Sequence, residues 1–297
     1  MTAIDRYKTP AAFRRALTDR LREAAREGRW TLQQLQRQVA YDRLLDRLYL
    51  VDDGWIVKGA TALLARDIGA RGSLDVDLHR DAGREVAEYD LRRAAATDIG
   101  DWFQFVIGGG AAIGNDAVRL PVKAVIGVTT WVEFHVDFVG SGLRMTGQPE
   151  DVPPLARGVI PAVEQRGYRA YPLVDHVADK IAATYERHRE ERRPSTRYRD
   201  LVDLVAIATG ASVPGDAQSR AIRSEFDRRG LVLPDRFEVP DTALWEPGYA
   251  AEARRSMLGM APTLDEALAI VRPFVDPVLE GTAVGSWDRE SRVWAES

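Results

Sequence analysis

The run Ser73-Leu74-Asp75-Val76-Asp77-Leu78-His79 alternates polar and apolar residues without a break, a period of two that a strand satisfies and a helix does not. Leu74, Val76 and Leu78 then face one side, and Ser73, Asp75, Asp77 and His79 face the other. A strand of this kind needs a sheet, and a sheet with one apolar face needs a covering layer. A second run repeats the parity: along 130–139, Trp131, Glu133, His135 and Asp137 share a face opposite Val132, Phe134, Val136 and Phe138. If the two strands pair, Asp75, Asp77 and Asp137 project from the same face.

The flanking sequence supplies the covering layer. Residues 11–49 carry apolar positions at helical spacing, broken at Gly28 and restarted at Thr31, a good N-cap, which predicts two helices. Trp55-Ile56-Val57-Lys58 reads as a strand, and Gly59 opens a helix that continues to Arg66. A helix over 83–97, a strand over 102–107 and a flexible glycine loop through 108–115 follow. The strand at 130–139 forms a hairpin with 118–126 across Gly127-Val128-Thr129. A Pro- and Gly-rich linker covers 140–161, and beyond it the spacing is helical near 173–192, 197–209, 215–229, 247–258 and 263–280. The expected class is α+β. A mixed-sheet lobe with N-terminal helices takes residues 1–150, and a helical lobe takes 151–297.

Composition narrows the setting. With no Cys in 297 residues there is neither a disulfide frame nor a thiolate zinc site. The first residues lack the apolar stretch of a signal peptide, and no apolar run is long enough to span a bilayer, so a cytoplasmic protein without a membrane partner is expected. A net charge of −4 argues against general coating of nucleic acid but leaves room for local basic patches. The clearest one is Arg187, Arg189, Arg192, Arg193, Arg197 and Arg199, interleaved with His188 and Tyr198; Glu186, Glu190 and Glu191 dilute it, as in a solvated helix end. The arginines of the first two helices are a second candidate. Arg119 and Lys123 share a face of the hairpin's first arm, where they would neutralise phosphate or pair with Glu133.

Three converging carboxylates require a cation, and hard Mg²⁺, or Mn²⁺, suits carboxylate and phosphate oxygens together. Upstream, Lys58-Gly59-Ala60-Thr61 opens a helix whose free N–H groups favour phosphate. Each piece alone has a plain reading, an Asp-x-Asp as a solvated strand face and a Lys-Gly pair as a turn. Their order and shared parity favour a phosphoryl-transfer site. His79 and His135 on the acidic faces leave open a phosphoesterase using Mn²⁺ or Zn²⁺. Asp203 lies on a helix so apolar that it must be buried and needs a partner, either Arg199 at i−4 or the active site. Lys180 borders the face of Val174, Val177, Ile181 and Tyr185, where it would snorkel or serve the site.

Val57-Lys58-Gly59-Ala60-Thr61-Ala62-Leu63 followed by Ser73-Leu74-Asp75-Val76-Asp77-Leu78 resembles the first motif of the AbiEii/AbiGii-type toxins, a branch of the DNA polymerase β-like nucleotidyltransferases. Asp179-Lys180-Ile181 with Arg197-Tyr198-Arg199-Asp200-Leu201-Val202-Asp203-Leu204 is similar to that family's second signature, and Trp245 and Tyr249 agree loosely with its tail. The likeness covers roughly residues 50–210. Where the superfamily usually has Gly-Ser or Gly-Gly in the turn, this chain has Gly59-Ala60, with Thr61 next in line to supply a hydroxyl. The resemblance implies a polymerase β-like lobe in which Asp75, Asp77 and Asp137 hold metal. It places Lys58, Gly59, Ala60, Thr61 and Ser73 at the nucleotide, with Lys180 and Asp203 completing the catalytic set. It further implies transfer from a nucleoside triphosphate to RNA, foremost the acceptor end of tRNA, with growth inhibition as the outcome and a cognate antitoxin as partner. Phosphorylation of Ser73 would be one means of antitoxin control. A nucleotidyltransferase acting on a small molecule or a protein, and a catalytically silent binding protein of the same fold, are the alternatives.

Overall fold

The computed structural model describes residues 6–69, 71–113, 117–140, 142–159, 163–188 and 193–296. They divide into two compact units. The first comprises Met1–Arg66, Gly72–Leu143 and Glu150–Ala170, and the second Asp67–Arg71, Arg144–Pro149 and Tyr171–Ser297.

The first unit begins with α1 (Pro10–Glu27) and α2 (Leu32–Val51). Thr9 caps α1 by accepting from the Ala12 amide at 3.2 Å. Thr31 and Gln34 form a reciprocal capping box on α2, so the restart after Gly28 occurs where the sequence places it. Then come β1 (Trp55–Lys58), α3 (Gly59–Ala65), β2 (Asp75–Arg80), α4 (Arg84–Ala95), β3 (Phe103–Ile107), β4 (Ala111–Ile113), β5 (Ala117–Ile126), β6 (Thr129–Val139), β7 (Glu150–Val152) and β8 (Tyr168–Ala170). They form one mixed sheet in the order β3-β5-β6-β2-β1-β8-β7, with β4 also on β5. β2 runs parallel to β6, and β1 parallel to β8; the other pairs are antiparallel.

The expected parity holds. Val76, Leu78, Val118, Leu120, Phe134, Val136 and Phe138 are buried in the core with Leu17, Leu21, Leu44, Leu45, Leu91 and Ala94 of the helices. Each fully buried Val, Leu or Phe contributes roughly 1.5–3 kcal/mol, so a register slip of one residue would cost this whole face. The other face is thereby left to the charged residues.

The second unit holds α5 (Leu173–Tyr185), α6 (Tyr198–Gly210), α7 (Gly215–Arg229), α8 (Thr242–Arg255) and α9 (Leu264–Glu280), with two small pairs, β9 (Arg187–His188) with β10 (Arg193–Pro194) and β11 (Ser286–Asp288) with β12 (Val293–Ala295). Its core includes Val177, Ile181, Leu201, Val205, Phe226, Trp245, Tyr249, Phe274 and Trp287. The indole of Trp245 donates to the Ser195 carbonyl and that of Trp287 to the Ala208 carbonyl, so both aromatics are structural.

Several boundaries differ from the sequence reading. The helix expected to reach 192 ends at Tyr185, because the charged run from Glu186 offers no apolar face to bury. α8 starts at Thr242 rather than 247: Asp241 caps it by accepting from the Leu244 amide, and Pro247 is carried inside a helix anchored by Trp245 and Tyr249. The span read as linker contains β7, and the span read as a glycine loop contains β4. Among the described residues no helix is long and apolar enough to cross a membrane.

Candidate active site

Strand register builds the site in one row. Arg119 of β5 stands opposite Asp137 of β6, Asp137 beside Asp77 of β2, and Asp77 opposite Lys58 of β1. Paired residues on adjacent strands point to the same face, so two carboxylates are flanked by two cations across four strands. In the next row on this face, Asp75 pairs with His135. The three acids read from the sequence thus share a face.

The turn after β1 is shaped by Asp77. Gly59 sits at φ +60, and a Cβ there would overlap the Asp77 carboxylate. Only glycine meets both demands without strain. Thr61, fully buried, donates its hydroxyl to the Asp75 carbonyl at 3.3 Å. Ser73 donates to the same carbonyl at 2.5 Å. Tyr41, from α2, donates to the Ser73 carbonyl at 3.1 Å, and burial keeps its phenol protonated well above the usual range. These bonds fix the backbone of Asp75 from below and leave its carboxylate about one-third exposed.

Arg119 is the positive charge of this row that sequence reasoning gives a vaguer role. Its Nε donates to Asp137 Oδ1 at 2.8 Å and its Nη2 to Asp137 Oδ2 at 2.6 Å, and Nη2 lies 3.5 Å from Asp75 Oδ2. The hydrogen bonds to Asp137, followed by the charges of Asp137, Asp75 and Asp77, raise its pKa further. Parity places Arg119 on this face; the cross-strand register shows which carboxylate it takes. His135 Nδ1 lies 3.4 Å from Asp75 Oδ1. Lys123 pairs with Glu133 at 2.9 Å, the plain alternative for that residue. His79, by contrast, is buried against the Val139 carbonyl, and burial pushes its pKa down. Beside Asp75 opens a cleft of about 640 Å³ lined by Arg37, Leu74, Val106, Arg119, Phe134 and His135 among others.

Whether these residues suit a divalent ion has two answers. Among the described residues no three acidic or histidine side chains are drawn together tightly enough to cage a metal as they stand, and both oxygens of Asp137 are engaged by Arg119. The donor chemistry does fit: Asp75, Asp77 and Asp137 are hard oxygen ligands on a partly open face.

In the second unit, Lys180 and Asp203 meet. Lys180 Nζ donates to Asp203 at 2.7 Å and to Asp200 at 3.0 Å, and Arg71 forks onto Asp203 at 3.1 and 2.9 Å. Burial works to lower the Lys180 pKa, but Asp200 and Asp203 outweigh it and hold the ammonium charged. Arg199, offered by spacing as the Asp203 partner, instead reaches Glu252 at 3.2 Å with its side chain 58% exposed, while the buried Asp203 is taken by Lys180 and Arg71. Nothing in the sequence flags Arg71, 132 residues upstream of Asp203.

The basic run is only partly visible. Arg187 is exposed in β9, Arg197 bonds Asp200 and Arg199 pairs as above; Arg189, Arg192 and the Arg193 side chain lie outside the described residues.

Residues 43–270 match the family model described as nucleotidyl transferase AbiEii toxin, type IV toxin–antitoxin system. The chain belongs to the AbiEii nucleotidyltransferase toxins. The match spans both signature regions, and membership makes the chain a transferase acting on a nucleotide, paired with an antitoxin. Among solved structures it is similar to MenT4, a nucleotidyltransferase toxin of Mycobacterium tuberculosis, with TM-score 0.59 at 16% identity over 88% of this chain and 89% of that one. It also matches JHP933 from Helicobacter pylori, with TM-score 0.47 at 14% identity over 82% and 92%. The first likeness bears out the α+β nucleotidyltransferase fold. No curated protein matches the chain by sequence.

Proposed function

We propose that this AbiEii-family toxin transfers a nucleotide from a nucleoside triphosphate to RNA, foremost the acceptor end of tRNA, with Mg²⁺ or Mn²⁺ as cofactor. The observation that carries the reading is the four-strand row Arg119–Asp137–Asp77–Lys58 with Asp75 beside it, a set of carboxylates edged by cations of which Asp75 and Arg119 line a cleft of about 640 Å³. Asp75, Asp77 and Asp137 would hold the metal, which when bound supplies Lewis-acid stabilisation of phosphate charge. Lys58 and the Gly59-Ala60-Thr61 turn would contact the triphosphate. The glycine keeps the backbone close, and Thr61 contributes through its grip on the Asp75 backbone. An acceptor hydroxyl oxygen forms a bond to the α-phosphorus as its proton passes to solvent, the α–β bridging bond breaks, and pyrophosphate leaves with the electron pair. The chain's part is to orient these groups and to match their charge. Lys180 and Asp203 would complete the catalytic set, and the exposed Arg187, Arg197 and Arg199 would add backbone affinity for RNA.

Incubation with each α-labelled triphosphate, total tRNA and Mg²⁺ tests the reading. Label in the tRNA band that disappears on chelation supports it. Label confined to a small molecule or to protein replaces the acceptor, and no label from any of the four triphosphates leaves a silent binding protein.

A further inference from the structure

Arg119 has an unusual position for a cation at a metal site, because it sits on the ligands rather than beside them. Its fork takes both oxygens of Asp137, and the same Nη2 reaches toward Asp75. It is also partly open to solvent, 41% exposed, and lines the cleft with Arg37 and Lys123. Arg47 and Arg92 of this unit are held differently. Arg47 is fully buried and bonds the carbonyls of Arg43, Thr97 and Phe103 besides Asp101, and Arg92 bonds the carbonyls of Ile107 and Gly108. Among the described residues the hydrogen bonds of Arg119 run to carboxylates alone. Its place therefore depends on the charge of those acids.

Resting on the metal-dependent reading above, we propose that Arg119 is the resident counter-ion of the acidic row and competes with the divalent cation for Asp137 and Asp75, so that metal loads together with the triphosphate that accepts the displaced guanidinium. The charge balance requires it. Three carboxylates against Arg119 and Lys58 leave a formal charge of about −1; adding a divalent ion alone would make the row positive and set it against Arg119 a few ångströms away. A triphosphate of about −4 charge arriving with two divalent ions returns the row to about −1. It also offers the fork the bidentate partner it gives up at Asp137.

The test is Mn²⁺ binding by the full chain, followed by electron paramagnetic resonance of free Mn²⁺, with and without an equimolar mixture of the four α,β-methylene nucleoside triphosphates. Wild type should bind Mn²⁺ weakly alone and more tightly with the analogues. Arg119→Gln should bind Mn²⁺ alone about tenfold more tightly than wild type, the scale of one bidentate pair, and gain less from the analogues. Arg119→Lys, which keeps the charge and loses the fork, should fall between, and thermal melting of both variants reports folding. If wild type binds Mn²⁺ with the analogues while folded Arg119→Gln and Arg119→Lys bind Mn²⁺ alone no better than wild type, the competition is refuted and the metal site stands. If no form binds Mn²⁺ under either condition, the metal reading falls and takes this one with it.

Discussion

Two charge clusters, one in each unit, use the same ingredients and come to opposite ends. The row on the sheet joins Asp75, Asp77 and Asp137 to Arg119 and Lys58 on a partly open face. The cluster around Lys180 joins Asp200 and Asp203 to Arg71 and Arg197, with the three central side chains at most 7% exposed. Exposure decides what each can do. A carboxylate that water can reach can exchange one cation for another at modest cost, whereas a buried one whose partner leaves is stranded in low dielectric. The open row is therefore suited to ligand exchange, and the closed one to holding helices together.

The sharpest way to break the contrast is Asp203→Ala. It leaves Lys180 with Asp200 as its partner while Arg71 loses its fork, and unfolding in urea should show a loss of about 3 kcal/mol. Asp77→Asn on the open row should do the reverse: the labelled-transfer rate should fall roughly 10²–10³-fold while the urea midpoint moves little. If Asp77→Asn also collapsed the fold, the row would be a structural brace like its counterpart. Gly59→Ala probes the join between backbone and chemistry. A left-handed non-glycine costs roughly 1–2 kcal/mol, and the new Cβ must push the Asp77 carboxylate aside, so transfer should fall further than the melting temperature alone explains.

Acid titration gives the smallest signal and sharpens the buried side. Burial tends to raise the Asp200 pKa, yet Lys180 and Arg197 hold it below the ordinary carboxylate range. Its stabilisation is complete above the unfolded value of about 3.9 and is lost as pH falls through the lower folded value. Stability should therefore be insensitive to this group down to about pH 4 and decline below it. Asp200→Asn should flatten that decline.

The sheet is legible in the sequence where alternation is long. The parity of 73–79 and 130–139 is enough to put Asp75, Asp77 and Asp137 on one face, and Thr31 announces its helix. Contacts set by strand order and by distance along the chain stay hidden. Parity puts Arg119 on the right face, but its choice of Asp137 depends on a register shift between Ala124 and Val125 that moves the pairing set by the hairpin turn by one residue. Arg71 reaches Asp203 through the tertiary fold. β8 is three residues long, too short to carry a period. The end of α5 at Tyr185 escapes a reading by periodicity because no glycine or proline marks it; only the lack of an apolar face does.

The place of β1 within the sheet bears on how the chain matures. This strand is flanked on one side by β2 and on the other by β8, through the pairing of Val57 with Ala170. A strand near residue 57 thus waits for more than a hundred further residues before its second edge is covered. During synthesis the nascent chain carries the turn at Gly59 on a ribbon open to other strands. Fragments that stop short of residue 168 should accumulate as aggregates rather than as a small working enzyme.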